Sequence, residues 1–309
     1  MEIINQNLGY VKAEVDKVLS TSPLIIRRYT KHLSQAQGKY IRALSVLSAA
    51  VQEDMSISHD AVLFASSIEI LHLASLVHDD VMDEADTRRG IVTLHKEYGR
   101  KTAIICGDYL LAVAMNLMNR VEDKNQYVDY DLSTYMVELS LGELNQHLNN
   151  GNSKLSVKEY LEIINGKTAA LFEASFYAGA ITSGEDVESL ESYKKLGHNI
   201  GMIFQLIDDC IDFEVSENAA KKPVQSDFEQ GVFTLPLILS IEASGTDFMA
   251  KTRDEVNKLV SKFKGVEKTK KKAQSYYDES LAIVNEMSIG KDKKLSLITI
   301  LNLSMGYAL

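Results

Sequence analysis

Two acidic stretches, HDDVMDEAD at 78–86 and FQLIDDCIDFE at 204–214, place carboxylates at the same spacing: Asp79, Asp80 and Asp83 in the first, Asp208, Asp209 and Asp212 in the second. At ~100° per helical residue, positions i, i+1 and i+4 fall within an arc of about 100°, so each triplet crowds one face. Like charges four residues apart cost a few tenths of a kcal/mol when exposed, and more when partly buried, where one carboxyl would protonate. One such triplet reads as a solvated acidic helix end; the second copy turns the pair into a candidate site. Two clusters brought face to face gather six carboxylates, an arrangement tolerable around hard divalent cations. Mg²⁺ fits, because it takes oxygen ligands, commonly one or two carboxylates, and keeps positions for water and substrate phosphates. The implied chemistry is that of a diphosphate.

The neighbouring residues extend the pattern. His72 lies seven residues before Asp79 and Gln205 three before Asp208, each on the face of its own triplet. Arg88 and Arg89 follow the first triplet as adjacent cations. The chain carries a net charge of −10, so an anionic ligand must be gripped by cations placed locally, and an electrostatic hold on nucleic acid is excluded. His78, off the acidic face, reads as structural.

The elements that must position these groups read as helices. Apolar residues recur at three- and four-residue spacing almost throughout, and 17 glycines and 3 prolines in 309 residues are too few for a turn-rich β architecture. Segment 58–85 opens on Ser-His-Asp and runs without Gly or Pro, enough for a helix of roughly 42 Å. Ser156 and Glu159 form a capping box after the polar loop NNGNSKLS at 149–156, and further breaks fall at SGED (183–186) and within 214–231. No repeat or linker appears, so the expected class is all-α, with residues 1–309 as a single domain. Cys106 and Cys210 stand far apart without metal-ligand spacing, the N-terminus lacks the pattern of a signal peptide, and no apolar run reaches the ~18 residues of a spanning helix. A cytoplasmic protein without an integral membrane segment is the expectation.

Taken in order, these motifs resemble the trans-type polyprenyl diphosphate synthases, which elongate isoprenoids head to tail. The resemblance runs by motif from about residue 35 to 240. In GKYIR (38–42), Lys39 and Arg42 match the residues that grip the diphosphate of isopentenyl diphosphate, helped by His72. DDVMD is similar to the family's first aspartate-rich motif; Arg88 matches the arginine on the allylic diphosphate and Arg89 the one on isopentenyl diphosphate. GKTAAL (166–171) puts Lys167 and Thr168 where the family binds the allylic diphosphate, FQLIDD supplies Gln205 and the second motif, and KKP (221–223) places Lys222 on a late diphosphate lysine. The resemblance implies an isoprenoid synthase fold, a bundle of long helices around a central cavity. It also implies Mg²⁺ as cofactor, isopentenyl and allylic diphosphates as substrates, a homodimer, and a heteromeric partner as an alternative.

The residue types suit that reaction. Ionising an allylic C–O bond leaves a diphosphate anion beside an allylic cation, so the catalyst needs metal and Lys/Arg donors at the leaving group. A second, metal-free cationic pocket then holds the isopentenyl substrate whose double bond attacks. In the family's mechanism the departing diphosphate removes the proton, so no side-chain base is required. A terpene cyclase on the same fold is the competing class, but cyclases usually carry an Asn/Ser/Glu triad in place of the second motif, and regulatory subunits tend to lose one motif; both are kept here. Departures from the family pattern are Tyr40 for a basic residue, Ala43 for a proline, Lys221 and Gln225 for glycines, and Val232 where a lysine is common. One turn before Asp79 stand the small residues Ala74 and Ser75, with Leu71 a further turn away and Met115 or Met118 as deeper floor, a pattern that by resemblance implies geranylgeranyl or longer products.

Overall fold

The computed structural model describes the chain except residues 36–37, 123–126, 128–129, 215–227, 229, 246–247, 249–251 and 307–309. Its elements are α1 (Glu2–Ser20), α2 (Leu24–Leu33), α3 (Ile41–Ala49), α4 (His59–Met82), a hairpin of β1 (Thr87–Arg88) and β2 (Ile91–Val92), α5 (Leu94–Tyr98), α6 (Arg100–Met118), α7 (Leu132–Leu148) and α8 (Val157–Ile164). A π-helical turn at Asn165–Ala169 then leads into α9 (Ala170–Thr182) and α10 (Val187–Glu214). Last come α11 (Leu235–Ser244), α12 (Arg253–Lys262), α13 (Gly265–Glu286) and α14 (Lys291–Ser304). The all-α expectation holds, the hairpin being the one sheet among the described residues. The chain divides into two compact units: residues 1–130 with 175–190 and 289–296, and residues 131–174 with 191–288 and 297–309.

In the first unit the pillar is α4. Its start is set where the sequence places it, with the Ser58 side chain accepting from the Ala61 amide at 3.2 Å. It stops at Met82, shorter than the Gly- and Pro-free run allows, and Asp83 serves as its C-cap. Phe64, Ile68, Leu71 and Ala74 are buried, and the Ser67 hydroxyl donates to the Ala114 carbonyl of α6 at 2.7 Å. By length and composition alone α4 (mean hydropathy 1.6) and α6 (1.3) could cross a membrane, which the sequence reading did not anticipate. In α4, 67% of that apolar stretch is buried inside the protein, as in the core helix of a soluble protein.

In the second unit α10 runs through the core, with Leu196, Ile200, Ile203 and Leu206 buried. The α8 start is the anticipated capping box: Glu159 N–H donates to Ser156 Oγ, and the Ser156 amide donates to Glu159 Oε2 at 2.9 Å. The breaks at 149–156 and 183–186 fall between helices as expected, and α10 ends at Glu214, where the third begins.

Candidate active site

The first unit holds one triplet and most of the cations. Asp79 is partly buried on α4, Asp83 is exposed at its C-cap, and Asp80 is only 6% exposed. Arg88 Nε donates to Asp80 Oδ1 at 2.5 Å, which fastens the hairpin to the end of α4. Burial still holds the Asp80 carboxyl above the usual carboxylate range, against the pull of Arg88 and His95. The hairpin, invisible to sequence periodicity, turns through Arg89 and Gly90 with φ of 52° and 81°, the positive pair of a two-residue turn. It sends Arg88 and Arg89 to different partners. Arg89 lies against Gly38, where a Cβ would come within 2.7 Å of its guanidinium, so the glycine of GKYIR is the close-approach point for that arginine.

Arg89, Gly38, Tyr40, Glu69, His72 and Leu76, with Asp16, help to line a small open cleft. Burial, then Arg42, Arg89 and Arg88, push the His72 imidazole well below its usual range, so it is neutral at pH 7. Arg42 is lowered to about 10 by burial and by Arg89, and stays charged. Lys39 is exposed on the loop before α3. Glu69, which the sequence reading did not single out, accepts the Ala43 amide at 2.9 Å. It thereby caps α3 from another helix, because Tyr40 at the N-cap has φ 53° and no side-chain cap bond. Burial raises the Glu69 carboxyl, with Ala43, Arg42 and Arg89 opposing. Two carboxylates, Glu69 and Asp16, thus stand in the region of Arg42 and Arg89.

The small residues expected beneath Asp79 differ in setting. Ser75 is partly exposed, its hydroxyl donating to the His72 carbonyl at 2.9 Å. Ala74 is fully buried on the face that carries Ser67 and His78, both in contact with α6. His78, read as structural, sits against Gly107 and 3.4 Å from Asp108.

The second unit holds the other triplet. Asp208 is exposed, Asp212 partly so, and Asp209 is 2% exposed. Asp209 Oδ2 accepts from the Tyr160 hydroxyl, and Oδ1 accepts from Gln205 Nε2 at 2.9 Å. The Gln205 carbonyl oxygen in turn accepts from Thr168 Oγ1 at 2.8 Å. Lys167, in the π-helical turn, is paired with Glu143 of α7 at 2.9 Å. Gly142 lets α7 approach there, since a Cβ at that position would lie 2.2 Å from the Lys167 amide nitrogen. Tyr160 and Glu143 are site neighbours that the sequence reading missed; neither belongs to a spacing that stands out. Lys222, with Lys221 and Gln225, lies outside the described residues.

In both triplets the i+1 carboxylate is buried on protein donors, while the outer pair, i and i+4, is partly or fully exposed. Each outer pair is an all-oxygen donor set that fits a hard divalent ion. Among the described residues no three metal-ligating side chains close on one point. An ion held by either pair would take further ligands from water or phosphate.

The profile of the Polyprenyl synthetase family matches residues 23–277. Heptaprenyl diphosphate synthase component 2 of Bacillus subtilis is 34% identical over 239 residues, covering 77% of this chain and 68% of that protein. The heptaprenyl diphosphate synthase structure from Staphylococcus aureus superposes with a TM-score of 0.88 at 31% identity, covering 97% of this chain and 98% of that one. A polyprenyl synthase from Caulobacter crescentus, solved with calcium and isoprenyl diphosphate, gives 0.89 at 27% identity over 100% of this chain and 97% of its own.

Proposed function

The chain belongs to the polyprenyl synthetase family and is a trans-prenyltransferase, a polyprenyl diphosphate synthase; from that premise we propose which residues do the work and how. Asp79, Asp83, Asp208 and Asp212 supply the oxygen ligands for Mg²⁺, while Asp80 and Asp209 hold their helices in register. When bound, the metal neutralises charge on the departing diphosphate. Arg88, Lys167, Thr168 and Gln205, with Lys222, serve the allylic diphosphate. Lys39, Arg42 and Arg89 grip isopentenyl diphosphate, and His72 contributes a neutral imidazole rather than charge. One observation carries this reading. Arg88 is fastened to Asp80 beside the first triplet, whereas Arg89 is turned to Gly38 of GKYIR in a cleft with His72, Glu69 and Asp16, so the two adjacent arginines serve different places, as a reaction of two diphosphates with one metal-dependent ionisation requires.

The product is proposed to be geranylgeranyl diphosphate or longer, with the heptaprenyl names of the relatives favouring the longer end. Incubation with isopentenyl diphosphate and each allylic primer, followed by sizing of the products, tests this; release of diphosphate without elongation, giving a cyclic hydrocarbon, would favour the cyclase reading instead. A homodimer is supported by α7, where Val137, Leu141, Leu144 and Leu148 form an apolar stripe at helical spacing, each more than half exposed. The alternative, a partner chain, rests on the component 2 name of the Bacillus subtilis relative. A cytoplasmic location belongs to the same proposal, and cell fractionation tests it.

Two further results are expected. Inorganic pyrophosphate with Mg²⁺ raises the melting temperature, by up to ~2.7 kcal/mol of stabilisation at one hundred times Kd, whereas neither alone does so comparably. Val232 is partly exposed just before α11, where relatives commonly carry a diphosphate lysine. Val232→Lys lowers KM for the allylic substrate more than it changes kcat, the signature of a binding interaction shared by ground and transition states. An unchanged KM would mean that the charge is supplied elsewhere.

A further inference from the structure

We propose that Tyr160 is a positioning residue for the second aspartate cluster. Through its hydrogen bond to Asp209 it fixes the rotation of α10 about its own axis, and with it the direction in which Asp208 and Asp212 offer their oxygens. The inference rests on the metal-holding role proposed for those two carboxylates.

The hydrogen bonds run one way. Thr168 donates to the Gln205 carbonyl, Gln205 donates to Asp209, and Tyr160 donates to Asp209. Two of the three protons go to one carboxylate that is 2% exposed, and the third fixes the Gln205 amide that supplies one of them. An asparagine there would turn an NH₂ group toward one of these donors. Gln205 sits on α10 itself, four residues before Asp209, so its bond alone cannot orient the helix against a neighbour. Tyr160 comes from α8 and can. Tyr160 is 4% exposed, and α8 is anchored four residues earlier by the Ser156–Glu159 box. Four residues later α8 passes into the π-helical turn that carries Lys167 and Thr168. The same short segment therefore holds α10 at two points, Tyr160 to Asp209 and Thr168 to Gln205.

Magnitude makes the rotation matter. Side-chain ends lie ~5–6 Å from a helix axis, so a turn of about 20° displaces a carboxylate oxygen by ~2 Å. Mg²⁺ demands near-ideal octahedral ligands at about 2.0–2.1 Å, with a tolerance of roughly 0.2 Å. Asp208 is exposed and Asp212 partly so, and the direction of both follows the rotation of α10 that carries them.

The test is calorimetric titration of inorganic pyrophosphate in the presence of Mg²⁺, with steady-state kinetics alongside. Tyr160→Phe removes one oxygen and keeps the ring. It is expected to weaken pyrophosphate binding by about 10–100-fold, the usual effect of losing a partner behind a metal ligand. It should lower kcat while leaving KM for isopentenyl diphosphate within about twofold, because the second diphosphate is held by other residues. Tyr277→Phe removes the comparable hydroxyl that donates to Asn302 at 2.8 Å in the same unit, and should bind pyrophosphate as wild type does. The double variant Tyr160→Phe/Asp209→Leu replaces the Tyr160–Asp209 pair with apolar groups, at the cost of the acceptor for Gln205 Nε2. It also provides a folded comparison if the single variant does not fold. Weak binding by the double variant supports a positioning role, and wild-type binding by either Tyr160 variant overturns it, as does an equal loss in Tyr277→Phe. If wild type itself fails to bind Mg²⁺ and pyrophosphate, the proposed function falls, and this inference falls with it.

Discussion

Asp79→Ala and Asp208→Ala each lower turnover by about 10³-fold or more while the circular dichroism spectrum and the melting temperature stay near those of wild type. The two expectations have separate causes. Charge stabilisation of a leaving diphosphate is worth several kcal/mol, and each ~1.4 kcal/mol is a factor of ten in rate. Fold retention follows from position: Asp208 is exposed and Asp79 partly buried, with the i+4 carboxylate of its triplet beside each. Removing one of two like charges at that spacing relieves repulsion of a few tenths of a kcal/mol in the metal-free protein. Asp80→Ala and Asp209→Ala behave differently, because they strip the acceptor from Arg88 in one case and from Tyr160 and Gln205 in the other. Those variants lose stability as well as activity, by about 1–3 kcal/mol for each buried group left without its partner. Activity that survives a strong chelator, or an Asp208→Ala enzyme with near-normal turnover, would sink the assignment of the outer carboxylates.

Ser75→Phe shortens the main product without abolishing the first condensation. Ser75 is one helical turn, about 5.4 Å, from Asp79, partly exposed and on the side of α4 that bears the aspartates. A phenyl ring there stands in the path of a chain growing away from the metal-binding end, yet it touches neither diphosphate. Sizing the products of the variant and the wild type with the same primer checks this. Ala74→Phe serves as the contrast. Ala74 has no exposed surface, and its face of α4 meets α6, so the ring overpacks the core at a cost of about 1–3 kcal/mol and shows mainly as a lower melting temperature. If Ser75→Phe keeps the wild-type product length, or if wild type already stops at farnesyl diphosphate, the tail does not run along this face.

The contrast between Ala74 and Ser75 was legible in principle from periodicity, since Ala74 lies three residues from both Leu71 and Val77, and all three are buried. Local chemistry of this kind is what the sequence determines. The Ser58 and Ser156 caps, the helical period of α4 and α10, and the two aspartate triplets depend on residues within a few positions of one another, so they can be read along the chain. Tertiary structure decided the rest. Spacing alone treats the three members of each triplet as equivalent. Which one is buried depends on where α8 and the hairpin lie, and they select Asp209 and Asp80. The strands of the TRRGIV hairpin are two residues each, too short for alternation to register, yet the turn gives Arg88 and Arg89 different partners. Glu69, Glu143 and Tyr160 are ordinary residues in sequence. They acquire roles because a buried amide, an ammonium group and a carboxylate from distant segments each require a partner, and the cost of leaving a buried polar group unpaired is incurred only once those segments have been folded together.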